Sequence, residues 1–93
     1  MKRILIAIVA VILSLPALAK GAGTADNPWV IGFSQCNLGE PWRVQMNADV
    51  KKAAEGEKRV KVIYKDAQND TLRQRSHIEE YVSQGVDAIV ISP

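Results

Sequence analysis

Beyond residue 28 the chain alternates short apolar runs with longer segments of helical spacing. Trp29–Ser34 (WVIGFS) is an apolar run ending in a polar residue, which predicts a short strand buried on both faces. Gln35–Glu40 reads as a polar loop, and Pro41 suits the first turn of a helix, where its missing N–H would be unpaired anyway. A helix over Trp42–Glu55 follows, with Met46, Val50, Ala53 and Ala54 on one stripe and Gly56 as its stop. Val60–Tyr64 predicts a second strand: Val60, Val62 and Tyr64 alternate against Lys61, while Ile63 points to two-sided burial. Asp66–Asp70 is a polar loop whose last residue is placed to cap a helix opening at Thr71. Leu72, Ile78, Tyr81 and Val82 line that helix, Gly85 ends it, and Ala88–Ser92 (AIVIS) is a third apolar strand before Pro93.

The order β-α-β-α-β with buried strands predicts an α/β fold of three layers: a parallel sheet with helices on both faces. A second crossover that reverses direction gives strand order 2-1-3 and puts the two helices on opposite faces. The first and third strands are then neighbours whose C-terminal loops diverge, the switch point at which open α/β sheets bind ligands. One of those loops is Gln35–Pro41. Both sheet edges are left open by three strands, so residues 29–93 read as the N-terminal part of a larger α/β unit.

Residues 1–19 carry a different pattern. Lys2 and Arg3 precede the apolar run Ile4–Leu15, which only Ser14 interrupts; Pro16 breaks it and Ala17-Leu18-Ala19 supplies a small-x-small cleavage pattern. This is the layout of a cleaved secretory signal peptide, and the run is shorter than the roughly 20 residues that span a bilayer. No Cys follows the small residues, as a lipoprotein would require; Lys20 stands there, and 20–28 reads as a polar leader to the first strand.

Export changes the charge balance. The chain has 12 Lys+Arg against 10 Asp+Glu, and removing Lys2 and Arg3 makes the two equal. Such a chain lacks the basic excess of a nucleic-acid binder, and Lys58-Arg59-Val60-Lys61 reads as a solvated turn entering a strand. One Cys and one His leave no disulfide framework, multi-Cys zinc site or Ser/His/Asp arrangement to propose. His77, among Arg73, Arg75, Glu79 and Glu80, reads as solvent-facing, and no phosphate-binding glycine loop is present. Neither cofactor nor metal is expected.

Ile31-Gly32-Phe33-Ser34-Gln35, Asn37, Pro41-Trp42-Arg43 and the closing Gln84-Gly85-Val86-Asp87-Ala88-Ile89-Val90-Ile91-Ser92-Pro93 together resemble the start of type I periplasmic sugar-binding proteins of ABC importers. These include the ribose-, galactose- and galactofuranose-binding proteins. The similarity runs from about Trp29 to Pro93. It implies two lobes joined by a hinge that close on a monosaccharide, a membrane permease as partner, and a monomer at full length.

The resemblance also implies site residues. Trp42 is either a core aromatic or, as in the family, a ring that stacks on the apolar face of a sugar. Arg43 is either solvated or a rigid fork of five donors for vicinal hydroxyls. Asn37 suits a hydroxyl or a turn, and Glu40 a sugar or the positive end of the helix as a cap. Ser34 and Gln35, at the strand end, complete the set. Asp66 and Asn69 read as turn or capping residues, and Cys36 as buried or paired beyond Pro93.

The expected function is therefore a periplasmic substrate-binding component that captures a monosaccharide for an ABC permease, not an enzyme. A sensor of the same fold feeding a chemoreceptor or histidine kinase is the main alternative, and an exported α/β enzyme a second. A regulator of the lac-repressor type shares the fold but opens with a DNA-binding helix-turn-helix, where this chain carries an export signal.

Overall fold

The computed structural model describes residues 20–93, and the signal-peptide expectation for 1–19 lies outside the described residues. The elements are β1 (Trp29–Gln35), α1 (Pro41–Glu55), β2 (Val60–Asp66), α2 (Thr71–Gln84) and β3 (Ala88–Ser92). All strands are parallel in the order β2-β1-β3. Trp29 pairs with Val60 through to Gln35 with Asp66 on one side of β1, and Ile31 with Ala88 through to Gln35 with Ser92 on the other. This is the α/β arrangement and strand order that the sequence pattern predicts.

Side-chain alternation along β1 assigns its two faces. Gly32 and Ser34 face α2. A Cβ on Gly32 would come within 2.6 Å of the Tyr81 ring, so the bare backbone lets that ring lie directly on the strand. Tyr81 is fully buried, and its hydroxyl lies 3.0 Å from the Phe33 carbonyl and 3.2 Å from that of Ile63, sharing one proton between two strands. Burial pushes this phenol above its ordinary pKa, so it stays a donor. Phe33 and Gln35 face α1, where Phe33 meets Tyr64 edge to face at 6.0 Å between ring centres.

Several expectations are corrected in detail. β1 runs one residue further, through Gln35, and β2 two further, through Asp66, because both polar ends keep their ladder partners. Two-sided burial holds only for the C-terminal half of β1; Val90 and Ile91 of β3 are exposed because the two helices pack chiefly on β1 and β2. Leu72 and Val82 of α2 also face solvent, so Ile78, Tyr81, Gln74 and His77 form the inward side. Gly85 ends α2 with φ 73°, the left-handed conformation glycine adopts freely, whereas Gly56 closes α1 with ordinary right-handed angles. Lys20–Pro28 folds back on itself, Ala22 N–H donating to the Asn27 carbonyl at 3.0 Å.

Candidate functional site

Both helices begin at the C-terminal ends of the strands, and the loop Cys36–Glu40 joins β1 to α1 at that rim. The loop is tied down from below. Cys36 N–H donates to the Ser92 carbonyl (2.9 Å), and the Cys36 carbonyl accepts from Asn69 N–H (2.7 Å). Asn37 folds the loop on itself: its Oδ1 accepts from Gly39 N–H (3.0 Å), a local turn typical of Asn. Its Nδ2 donates to Asn69 Oδ1 (2.7 Å) and reaches Cys36 Sγ (3.3 Å). Asn69, with φ 62°, thus holds Asn37 as well as its own turn, while Asp66 accepts from Gln68 N–H and serves the turn alone.

Arg43 is the centre of the rim. It is 7% exposed, and four of its five N–H groups are engaged. Nε donates to Glu40 Oε2 (2.8 Å), one terminal nitrogen to Gln35 Oε1 (3.1 Å) and Ser92 Oγ (3.0 Å), the other to the Pro93 carbonyl (3.0 Å). One charged side chain from α1 therefore ties the ends of β1 and β3 together. Gln35 is fully buried in this network, and its Nε2 donates to Asn47 Oδ1 (3.2 Å). Trp42, next in line, is 54% exposed, and the Arg43 guanidinium carbon lies 4.2 Å from its ring centre. That contact holds the indole by a cation–π attraction and covers one of its faces.

On the other side of the sheet Ser34 is also fully buried. Its hydroxyl lies 3.3 Å from His77 Nδ1 and accepts from Gln74 Nε2, which also donates to the Ser92 carbonyl (3.1 Å). His77 is thus half-buried and bonded, not solvent-facing, because the i, i+3 spacing from Gln74 places both over β1. Among the described residues no buried side-chain polar atom lacks a partner. Glu40 occupies the N-cap position of α1 without making a capping bond: its carboxylate goes to Arg43 instead. The capping expectation is corrected accordingly.

The six expected residues fall into two groups. Trp42, Glu40 and Asn37 stand at or near the surface of the rim; Arg43, Gln35 and Ser34 lie beneath it. The reading of Arg43 as solvated is excluded by its burial. Ser92, Gln74 and His77 join the second group without having been picked out as site residues. Ser92 alone carried a visible signal, as the polar residue closing an apolar strand beside the switch point. Beside this rim a cavity of about 220 Å³ is lined by Cys36, Asn69, Asp70, Thr71, Gln74 and Pro93. It is smaller than the roughly 300–1,000 Å³ of a complete small-molecule site, as one wall of a larger cleft would be.

The periplasmic binding protein domain matches residues 31–93, and the chain belongs to that family. It is 37% identical over 82 residues to the ribose import binding protein RbsB of Bacillus subtilis (strain 168), a match covering 87% of this chain and 27% of that relative. Among solved structures, the fructose binding periplasmic domain of the hybrid two component system BT1754 superposes with a TM-score of 0.64 at 30% identity. That match covers 69% of this chain and 21% of the other. The chain thus spans about a quarter of the length of the relatives it matches.

Proposed function

We propose that this chain forms the opening part of the first lobe of an exported sugar-binding protein, delivering a monosaccharide to an ABC permease from the periplasm. The observation that carries this reading is the 37% identity to a ribose import binding protein across most of the chain, with Trp42 exposed at the switch-point rim. In this reading Trp42 stacks its uncovered face on the sugar, where C–H groups meet the ring quadrupole. Asn37 and Glu40 offer polar groups at the same rim. Arg43 contributes its one uncommitted N–H, while its other four, with Gln35 and Ser34, hold the wall in shape. The protein is a binder and no catalytic group is assigned. Residues 1–19 are removed on export.

Calorimetric titration of the full-length protein with a panel of pentoses and hexoses, ribose and fructose included, tests the reading. Saturable binding of one of them is expected; no heat from any overturns it. The likeness to a two-component sensor's periplasmic domain favours a second role, sensing. Deleting the gene separates the two. An importer loses uptake of the labelled sugar, whereas a sensor keeps uptake and loses the transcriptional response.

A further inference from the structure

At the end of the sheet opposite the rim, Asp87 lies between α2 and β3 with its carboxylate turned to the start of the described chain. Gly21 N–H donates to both of its oxygens, at 3.0 and 3.1 Å, and Val30 N–H to Oδ2 at 2.8 Å. Asp87 N–H returns a bond to the Val30 carbonyl (2.8 Å), and Lys20 Nζ donates to the Val86 carbonyl (3.3 Å). Gly21 fits here only because it has no side chain: a Cβ would stand 2.3 Å from the Pro28 carbonyl oxygen and 2.8 Å from Asp87 Oδ2. The leader is therefore built into the fold at Gly21. Among the described residues no Lys, Arg or His nitrogen lies within 4.0 Å of the Asp87 carboxylate, so this half-buried charge has amide partners and no ionic one.

We propose that Asp87 is the receptor for the α-ammonium group of Lys20 that removal of residues 1–19 creates, so that processing itself locks the first residues onto the sheet. The inference rests on the reading of 1–19 as a cleaved signal peptide. Consecutive backbone nitrogens lie about 2.7–3.7 Å apart, depending on ψ, so the nitrogen of Lys20 is held close to a carboxylate already bonded to Gly21. In the unprocessed chain that nitrogen is a neutral amide. Hydrolysis by signal peptidase adds water across the Ala19–Lys20 bond, the hydroxyl going to the Ala19 carbonyl carbon and a proton to the Lys20 nitrogen. The resulting amine takes a further proton from solvent at neutral pH. A positive donor then stands beside Asp87 and adds ionic attraction to the bonds that the carboxylate already accepts from neutral amides.

N-terminal sequencing of the exported protein comes first: a start at Lys20 is expected, and a different start removes both the processing reading and the inference. Hydrogen exchange at the Gly21 and Val30 amides is then compared in full-length protein starting at Lys20 and in the same protein carrying one extra Met ahead of Lys20. The extra residue displaces the ammonium and should speed exchange about two- to fivefold, the range a partly exposed ion pair supplies. In D87N the two forms should exchange alike. A confirmed Lys20 start with equal exchange in both forms overturns the inference alone, as does a difference that persists in D87N. Should D87N fold poorly, the comparison of the two starts in the unaltered protein still decides.

Discussion

The two helices begin at the same end of the same sheet and are built to opposite rules. α2 is closed at both ends by its own residues: Asp70 accepts from Leu72 and Arg73 N–H, and Gly85 turns the chain out in the left-handed conformation. Its inward face carries Tyr81, the most deeply buried large side chain. α1 has no side-chain cap, puts Trp42 into solvent in its first turn, and buries a charged residue, Arg43. Natural helices satisfy their first N–H groups with a short polar side chain when nothing else will. In the proposed reading, an uncapped end with an exposed aromatic beside it and an arginine stitched underneath makes α1 the helix that meets the sugar, while α2 serves the fold.

That contrast can be broken by experiment. The largest effect should come from Tyr81→Ala, which empties the α2 interface and frees two strand carbonyls, costing about 3–5 kcal/mol of stability by thermal or denaturant unfolding. A small loss there would dissolve the distinction between the helices. Trp42→Ala should do the reverse, weakening sugar affinity by about 1.5–3 kcal/mol, ten- to a hundredfold, while the melting temperature barely moves. A sharp drop in melting temperature with affinity intact would make Trp42 a core residue after all. Arg43→Lys should affect both readouts, by about 1–2 kcal/mol, because a point charge cannot serve four acceptors set for a planar fork. Asp70→Ala should cost about 1 kcal/mol of stability and leave affinity alone. His77→Ala should be smallest, about 0.5 kcal/mol, since Ser34 keeps its bond from Gln74; calorimetry should show affinity unchanged.

How far the sequence reaches is visible in these same residues. Element order and the Asp70 and Gly85 ends are legible because apolar periodicity, capping chemistry and glycine are local signals; strand order 2-1-3 follows only for a second crossover that reverses direction, which no local signal fixes. Trp42 is legible only in part: it continues the Met46, Val50 and Ala54 stripe at +4 spacing, as a core residue would, and only its place beside Pro41 at the helix start points outward. The role of Arg43 is not, because its four partners come from Gln35, Glu40, Ser92 and Pro93, and only the folded sheet brings Ser92 and Pro93 to it. His77 misleads for a related reason. Its sequence neighbours are charged and exposed, while the residue that draws it inward, Ser34, lies on another element. The Asp87 contact to Gly21 is beyond local reading altogether, since it joins the two ends of the described chain.

The sheet order also fixes a sequence of events in time. β1 is the central strand and the first to be made, yet both of its partners lie downstream, with Val60 arriving to meet Trp29 and Ala88 much later to meet Ile31. Each pairing must close a progressively longer loop before any bond rewards it, and parallel pairing of this kind is intrinsically slow. Until β3 arrives, one edge of the central strand stays open, and an emerging chain in that condition is prone to aggregate. A chain threaded through a membrane channel from its first residue onward would meet this interval on every passage.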